Sequence, residues 1–208
     1  MNAMVFRRYI HGRNEQGVAL VEGAIVISLV FLLSFALIDG AMYMKNSLSI
    51  GSAARTSSQK AAGAANDITA DYYALKAINK ASATFGIDNL DYVVIYKAPV
   101  FGDPPPGRFN APPSGCGASP PVAVAGECNV YDRSDVLTGT ISDFDGVGGW
   151  PKDDYWPTTN RNSQRSGITP DRIGVEIQGR ASTPMGIFGA TSKAVNRRTV
   201  IQIEARRL

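Results

Sequence analysis

From Val18 to Ile38 the chain carries 21 residues with one charge, Glu22, and two serines, Ser28 and Ser34. As an α-helix this run is ~32 Å long, enough for a hydrocarbon core of ~30 Å. A membrane-spanning helix is therefore predicted, closed by Asp39. Residues 1–17 are polar and basic, with Arg7, Arg8 and Arg13 against Glu15, and the next arginine is Arg55. That asymmetry predicts a cytoplasmic N-terminus and a C-terminal body on the far side of the membrane. The expected organisation is a basic leader (1–17), a transmembrane segment (18–38), a helical stalk (39–85) and an extracytoplasmic β-rich domain (86–208).

Glu22 is the anomaly in the run. A carboxylate at the bilayer centre costs on the order of 3 kcal/mol and less near an end. One reading is that it snorkels to the headgroups. Another treats the run as an export signal cut near residues 36–41, against which stand its length and Asp39. The third rests on the local pattern, in which a basic leader ends in Gly17 and the fifth residue after it is Glu22. A buried carboxylate seeks a cation, and a new α-amino group at Val18 would supply one.

The string Gln16-Gly17-Val18-Ala19-Leu20-Val21-Glu22-Gly23-Ala24, with the apolar residues to Phe35 and then Ile38-Asp39-Gly40, resembles the N-terminal segment of type IV pilins and pseudopilins. It is most similar to the TadE-like minor pseudopilins of the tight-adherence (Flp) pilus system. The family often has a large apolar residue after the Glu, where this chain has Gly23, and a proline inside the run, where it has Ser28. The resemblance implies cleavage by a prepilin peptidase between Gly17 and Val18, with Glu22 setting register in an assembling fibre. The partners it implies are that peptidase, other pilins or pseudopilins, the assembly platform and membrane lipid.

Beyond Asp39 the sequence predicts an α+β body. Residues 41–65 lack proline and are rich in small residues, so the first helix is expected to run on from about 19 to 63. Asp67 is the expected N-cap of a second helix over 68–85, whose apolar stripe is Ile68, Tyr72, Leu75, Ile78, Ala81 and Phe85, with Gly86 as its C-cap. Tyr92 to Tyr96 reads as a strand, and Cys128 to Tyr131 as a short one. Eight of the twelve prolines lie from Pro99 to Pro121, predicting a long surface excursion. Ile173, Val175 and Ile177 alternate with Arg172, Glu176 and Gln178, and residues 199–206 repeat the design. Both predict antiparallel strands with one face in water, joined through the apolar segment 184–190.

The formal charge is only +3, which gives no electrostatic case for nucleic acid. Two cysteines, Cys116 and Cys128, cannot build a zinc site alone, and the single histidine, His11, is in the tail. Outside the cytoplasm they are expected to form a disulfide, worth roughly 3 kcal/mol in the chain-entropy model. No Ser/His or Cys/His pair can form in the body, and no phosphate loop, HExxH or CxxC occurs. Asp143-Phe144-Asp145-Gly146 echoes the opening of a calcium loop without its distal Glu, so a solvated turn is expected. Trp150 and Tyr155-Trp156 are expected as aromatic lids over the sheet, with an exposed adhesive patch as the alternative. No catalytic residue, cofactor or metal is therefore expected. The alternative function is an uncleaved membrane-anchored module that binds a ligand through its Pro-rich and Trp/Tyr loops.

Overall fold

The computed structural model describes residues 11–144, 152–163, 169–183, 185–186 and 191–203, with helix side chains from residue 17 onward. The fold is α+β. Helix α1 (His11–Ala64) and helix α2 (Ala70–Phe85) lead into strand β1 (Leu90–Lys97). Strand β2 (Cys128–Asp132), the short helix α3 (Arg133–Thr138) and strands β3 (Arg172–Ser182) and β4 (Ser192–Gln202) follow. The four strands form one antiparallel sheet in the order β2-β1-β3-β4. Two compact units emerge, residues 1–41 with 183–191 and residues 42–182 with 192–208. The segment 42–85, expected as part of a stalk, thus belongs to the same unit as the sheet.

In the first unit, α1 begins earlier than the expected residue 19, so Gly17 and Val18 lie inside it. The helix is long and apolar enough to cross a membrane. Its side chains from Val18 to Ile38 are exposed almost throughout, Val18 at 66% and Leu37 at 75%. The two serines do not leave their hydroxyls unmet: Ser28 Oγ donates to Ala24 O and Ser34 Oγ to Val30 O, each at 2.8 Å. That i−4 bond is how a hydroxyl is accommodated on a helix that has no water around it. Asp39 is buried, and its Oδ1 accepts the Met185 N–H at 3.0 Å.

The second unit packs helices on one face of the sheet. Small residues let α1 approach closely: Ala53, Ala54, Ser57, Ala61 and Ala62 are buried, as is Ile50. Leu75, Ile78 and Phe85 of α2 join them against Val93, Ile95, Ile173, Val175 and Ile177. The expected α2 stripe is shifted. Ile68 is exposed, while Asp71, Ala74 and Ser82 are buried. Asp67 is not the N-cap either. Thr69 takes that position without a side-chain cap, and Asp67 Oδ1 instead accepts from Thr69 N (2.9 Å) and Thr69 Oγ1 (2.6 Å), a local turn that competes with the cap. Gly86 does end the helix, at φ 81°, its N–H donating to Ser82 O.

The largest correction concerns the sheet's other face, expected to be wet. Glu176 and Gln178 are buried there, as are Val94, Tyr96 and Ala98. The Pro-rich segment does not hang in solvent; it folds back over this face. Cys116 and Cys128 form a disulfide that ties it to the start of β2, and both lie in a second apolar cluster with Val94 and Tyr96. Arg108 comes down from the segment to pair with Glu176, and Gln178 Nε2 donates to the same carboxylate at 3.1 Å. Tyr96 lies so close over β3 that a Cβ on residue 174 would sit 2.2 Å from its Cζ, which accounts for Gly174. Strand β4 starts at Ser192, seven residues earlier than expected, and pairs with β3 along its whole length.

Replacing both cysteines with serine is expected to lower the stability of the sheet unit by about 3 kcal/mol, because the loop they close is then free in the unfolded chain. Urea denaturation of the detergent-solubilised protein checks this; an unchanged midpoint would mean that the Pro-rich cover holds without its tether.

Candidate functional site

The residues singled out in the sequence fall in two places. Gly17, Val18 and Glu22 lie within about one and a half turns of α1. Val18 and Glu22 are four residues apart and therefore on the same side of the helix. Glu22 is exposed and has no ion-pair partner among the described residues. Nothing lies within 4 Å of a Cβ built on Gly17 or Gly23, so these two glycines leave a bare patch of backbone on either side of the carboxylate. In a hydrocarbon environment that carboxylate needs a cation, which no described side chain supplies. The Cys116–Cys128 pair is elsewhere, serving the sheet's second face.

A buried polar centre that the sequence reading missed lies in the sheet unit. The side chains of Asp71 on α2 and Arg161, in the loop before β3, are both 0% exposed and form a two-armed ion pair, Nη1–Oδ1 at 2.6 Å and Nη2–Oδ2 at 2.7 Å. Asp71 Oδ2 also accepts from Tyr131 Oη at 2.8 Å and Asn129 Nδ2 at 3.1 Å, both on β2. Asn129 clamps the backbone of Trp156, donating to its carbonyl (3.0 Å) and accepting its N–H (2.7 Å). The Arg161 guanidinium stacks 4.3 Å from the Trp156 ring, a favourable cation–π geometry. Trp156 is thus a lid over the core, as expected, whereas Tyr155 is exposed. Trp150 lies outside the described residues.

The electrostatics of this centre follow from burial. Burial, and then the Asp71 charge, push the Tyr131 hydroxyl well above the usual tyrosine range, so it stays a donor. Burial works against the Arg161 charge, but Asp71 outweighs it and the guanidinium is held more firmly protonated. Asp153 is buried nearby, and desolvation followed by repulsion from Asp71 raises its pKa. The Glu176 carboxyl is likewise raised by burial, which exceeds the pull of Arg108. The only hint in the sequence was Asp71, three residues before Ala74 on the buried side of α2; Arg161 is 90 residues away and gave none.

Of the calcium-loop echo only Asp143 and Phe144 are described, and Asp143 closes a 3₁₀ turn, Ile141–Asp143. Asp143 Oδ2 accepts from Thr140 N at 2.8 Å and Thr140 Oγ1 at 3.1 Å, while Asp145 lies outside the described residues. No group of three metal-ligating side chains occurs among the described residues. Comparison with protein-family models, with characterised proteins and with solved structures finds no match for the chain.

Two outcomes test this centre. Asp71→Ala leaves Arg161 as an uncompensated buried charge and is expected to cost about 3–5 kcal/mol, read from urea denaturation; a loss no larger than that of an exposed Asp→Ala control would mean that the pair is not buried in solution. The second is a pH profile. Asp153 and Glu176 bind protons more tightly in the folded than in the unfolded chain. Stability is therefore expected to rise as pH falls from neutral into the interval just above the ordinary carboxylate range, and to be lost as pH rises back through it. Asp132, held low by the Ser134 hydroxyl, and Asp143, held low by the Thr140 N–H, reverse the trend only in stronger acid. Asp153→Asn should flatten that rise in the denaturation midpoint as the pH falls from neutral.

Proposed function

We propose that this chain is a minor pseudopilin taking part in assembly of a tight-adherence type IV pilus. The observation that carries the reading is one continuous helix that holds Gly17, Glu22 and a lipid-length exposed apolar surface together, with Glu22 as the only charge from Val18 to Ile38. The chain sits in the inner (plasma) membrane with its basic leader in the cytoplasm, and a prepilin peptidase cuts it after Gly17. Gly17 is the weakest helix former in its turn, so the helix can open there to present the peptide bond. The new Val18 amine then stands one turn from Glu22, and the carboxylate pairs with it or with that of a neighbouring subunit. The apolar helix packs against other pilin or pseudopilin helices, and the disulfide-tethered body is the part held outside.

A second reading, an uncleaved membrane-anchored binding module, draws on Phe109, which is 85% exposed in the Pro-rich segment. Mass spectrometry of the protein from its own host separates the two: processing gives a mature chain starting at Val18, and an intact Met1 end favours the module. Glu22→Leu should leave membrane insertion unchanged or improved but reduce pilus assembly at least tenfold, about 1.4 kcal/mol or more of lost pairing. Assembly at the wild-type level would make the carboxylate a bystander.

A further inference from the structure

Among the described residues strand β4 ends the sheet and has β3 on one side only. The two pair residue for residue, from Arg172 opposite Gln202 to Ser182 opposite Ser192, without a bulge. The phase of the ladder is fixed by Ile203, whose N–H donates to Asp171 O at 2.9 Å. Hydrogen-bonded and non-hydrogen-bonded pairs alternate in an antiparallel ladder, so the odd-numbered residues of β4 bond to β3. The backbone groups of Ala194, Asn196, Arg198 and Val200 then point away from the sheet. The other side of β3 agrees: Ala98 N donates to Arg172 O, so its even-numbered residues face β1. Among the described residues no backbone hydrogen bond reaches the outward groups of β4.

An open edge of this length is normally blunted by proline, a bulge, shortness or charge. Strand β4 has only the last of these. It carries three cations, Lys193, Arg197 and Arg198, and no acid. Alternation sends the two arginines to opposite faces: Arg197 Nε reaches Ser47 Oγ at 3.1 Å on the helix side, and Arg198 Nε reaches Gly102 O at 3.1 Å on the loop side. Positive charge therefore flanks the free backbone above and below. A second copy of β4 is a poor occupant, since antiparallel pairing about the exposed stretch 196–198 would set arginine against arginine.

We propose that the outer edge of β4 is a docking site for an extended acidic segment of a partner protein, which joins the sheet as a further strand. Main-chain bonds to residues 194–200 supply the attachment, and alternate carboxylates meet Arg197 and Arg198 on the two faces. The site lies wholly within the sheet unit and does not depend on the membrane helix or on cleavage after Gly17.

The test uses the full chain in detergent micelles and a fluorescent octapeptide of alternating glutamate and valine. Two further forms are N-methylated on alternate amides, one in each phase, and a fourth replaces glutamate with lysine. The expected result is binding by the acidic peptide, with amide exchange slowed at Ala194, Asn196, Arg198 and Val200. One methylated phase should weaken binding about tenfold or more and the other should not, because only one row of peptide amides faces β4. The lysine peptide should not bind. Asn196→Pro removes an outward N–H without touching the β3 ladder and should weaken binding similarly. Equal binding by the two methylated forms, no binding by the acidic peptide, or slowed exchange elsewhere than β4 overturns the proposal.

Discussion

An aspartate without access to water must be met by donors on every side, and Asp71 ties together three elements that would otherwise have little reason to meet. It rides on α2, its hydroxyl and amide donors stand on β2, and its countercharge comes from a loop residue 90 positions later. Because Asn129 serves both Asp71 and the backbone of Trp156, the loop around residues 152–163 is held through the same network. That segment has only one short 3₁₀ turn of its own. Its order comes from side-chain bonding that converges on the Asp71 carboxylate.

The second constraint is geometric. A sheet of four strands has two faces, and here both are covered, one by helices and the other by a proline-rich segment that cannot itself join a ladder. Such a segment can still close over a sheet if it supplies apolar contact and a partner for any charge beneath it. The disulfide cluster does the first, and Arg108 the second, for Glu176.

Much of this was legible in the sequence wherever the determinants are local. The apolar run, the small-residue continuation of α1, the Gly86 stop and the cores of the strands all follow from propensity and period. That Val18 and Glu22 share one side of a helix was legible for the same reason, since they are one turn apart. What failed were several judgements that needed a distant partner. Alternation in residues 172–178 gives the period of a strand but not what lies over it, so Glu176 was assigned to water by default. The α2 stripe was placed by hydrophobicity alone, which excludes Asp71 from a face it occupies only because Arg161 is there. The early start of β4 was hidden because Lys193 to Arg198 lacks an apolar rhythm; its strand is imposed by the ladder with β3.

The order of the strands also sets a timetable. Strand β1 is completed on one side by β2, about thirty residues later in the chain, but on the other only by β3, which begins at Arg172. A chain emerging N-terminus first therefore exposes one edge of an apolar strand, with Val93, Val94 and Ile95 on it, until most of the polypeptide has been delivered. Long-range closure of this kind is slow, and open strands of this composition associate with one another. The compartment that receives the chain must therefore keep half-delivered molecules apart, a demand set by topology alone.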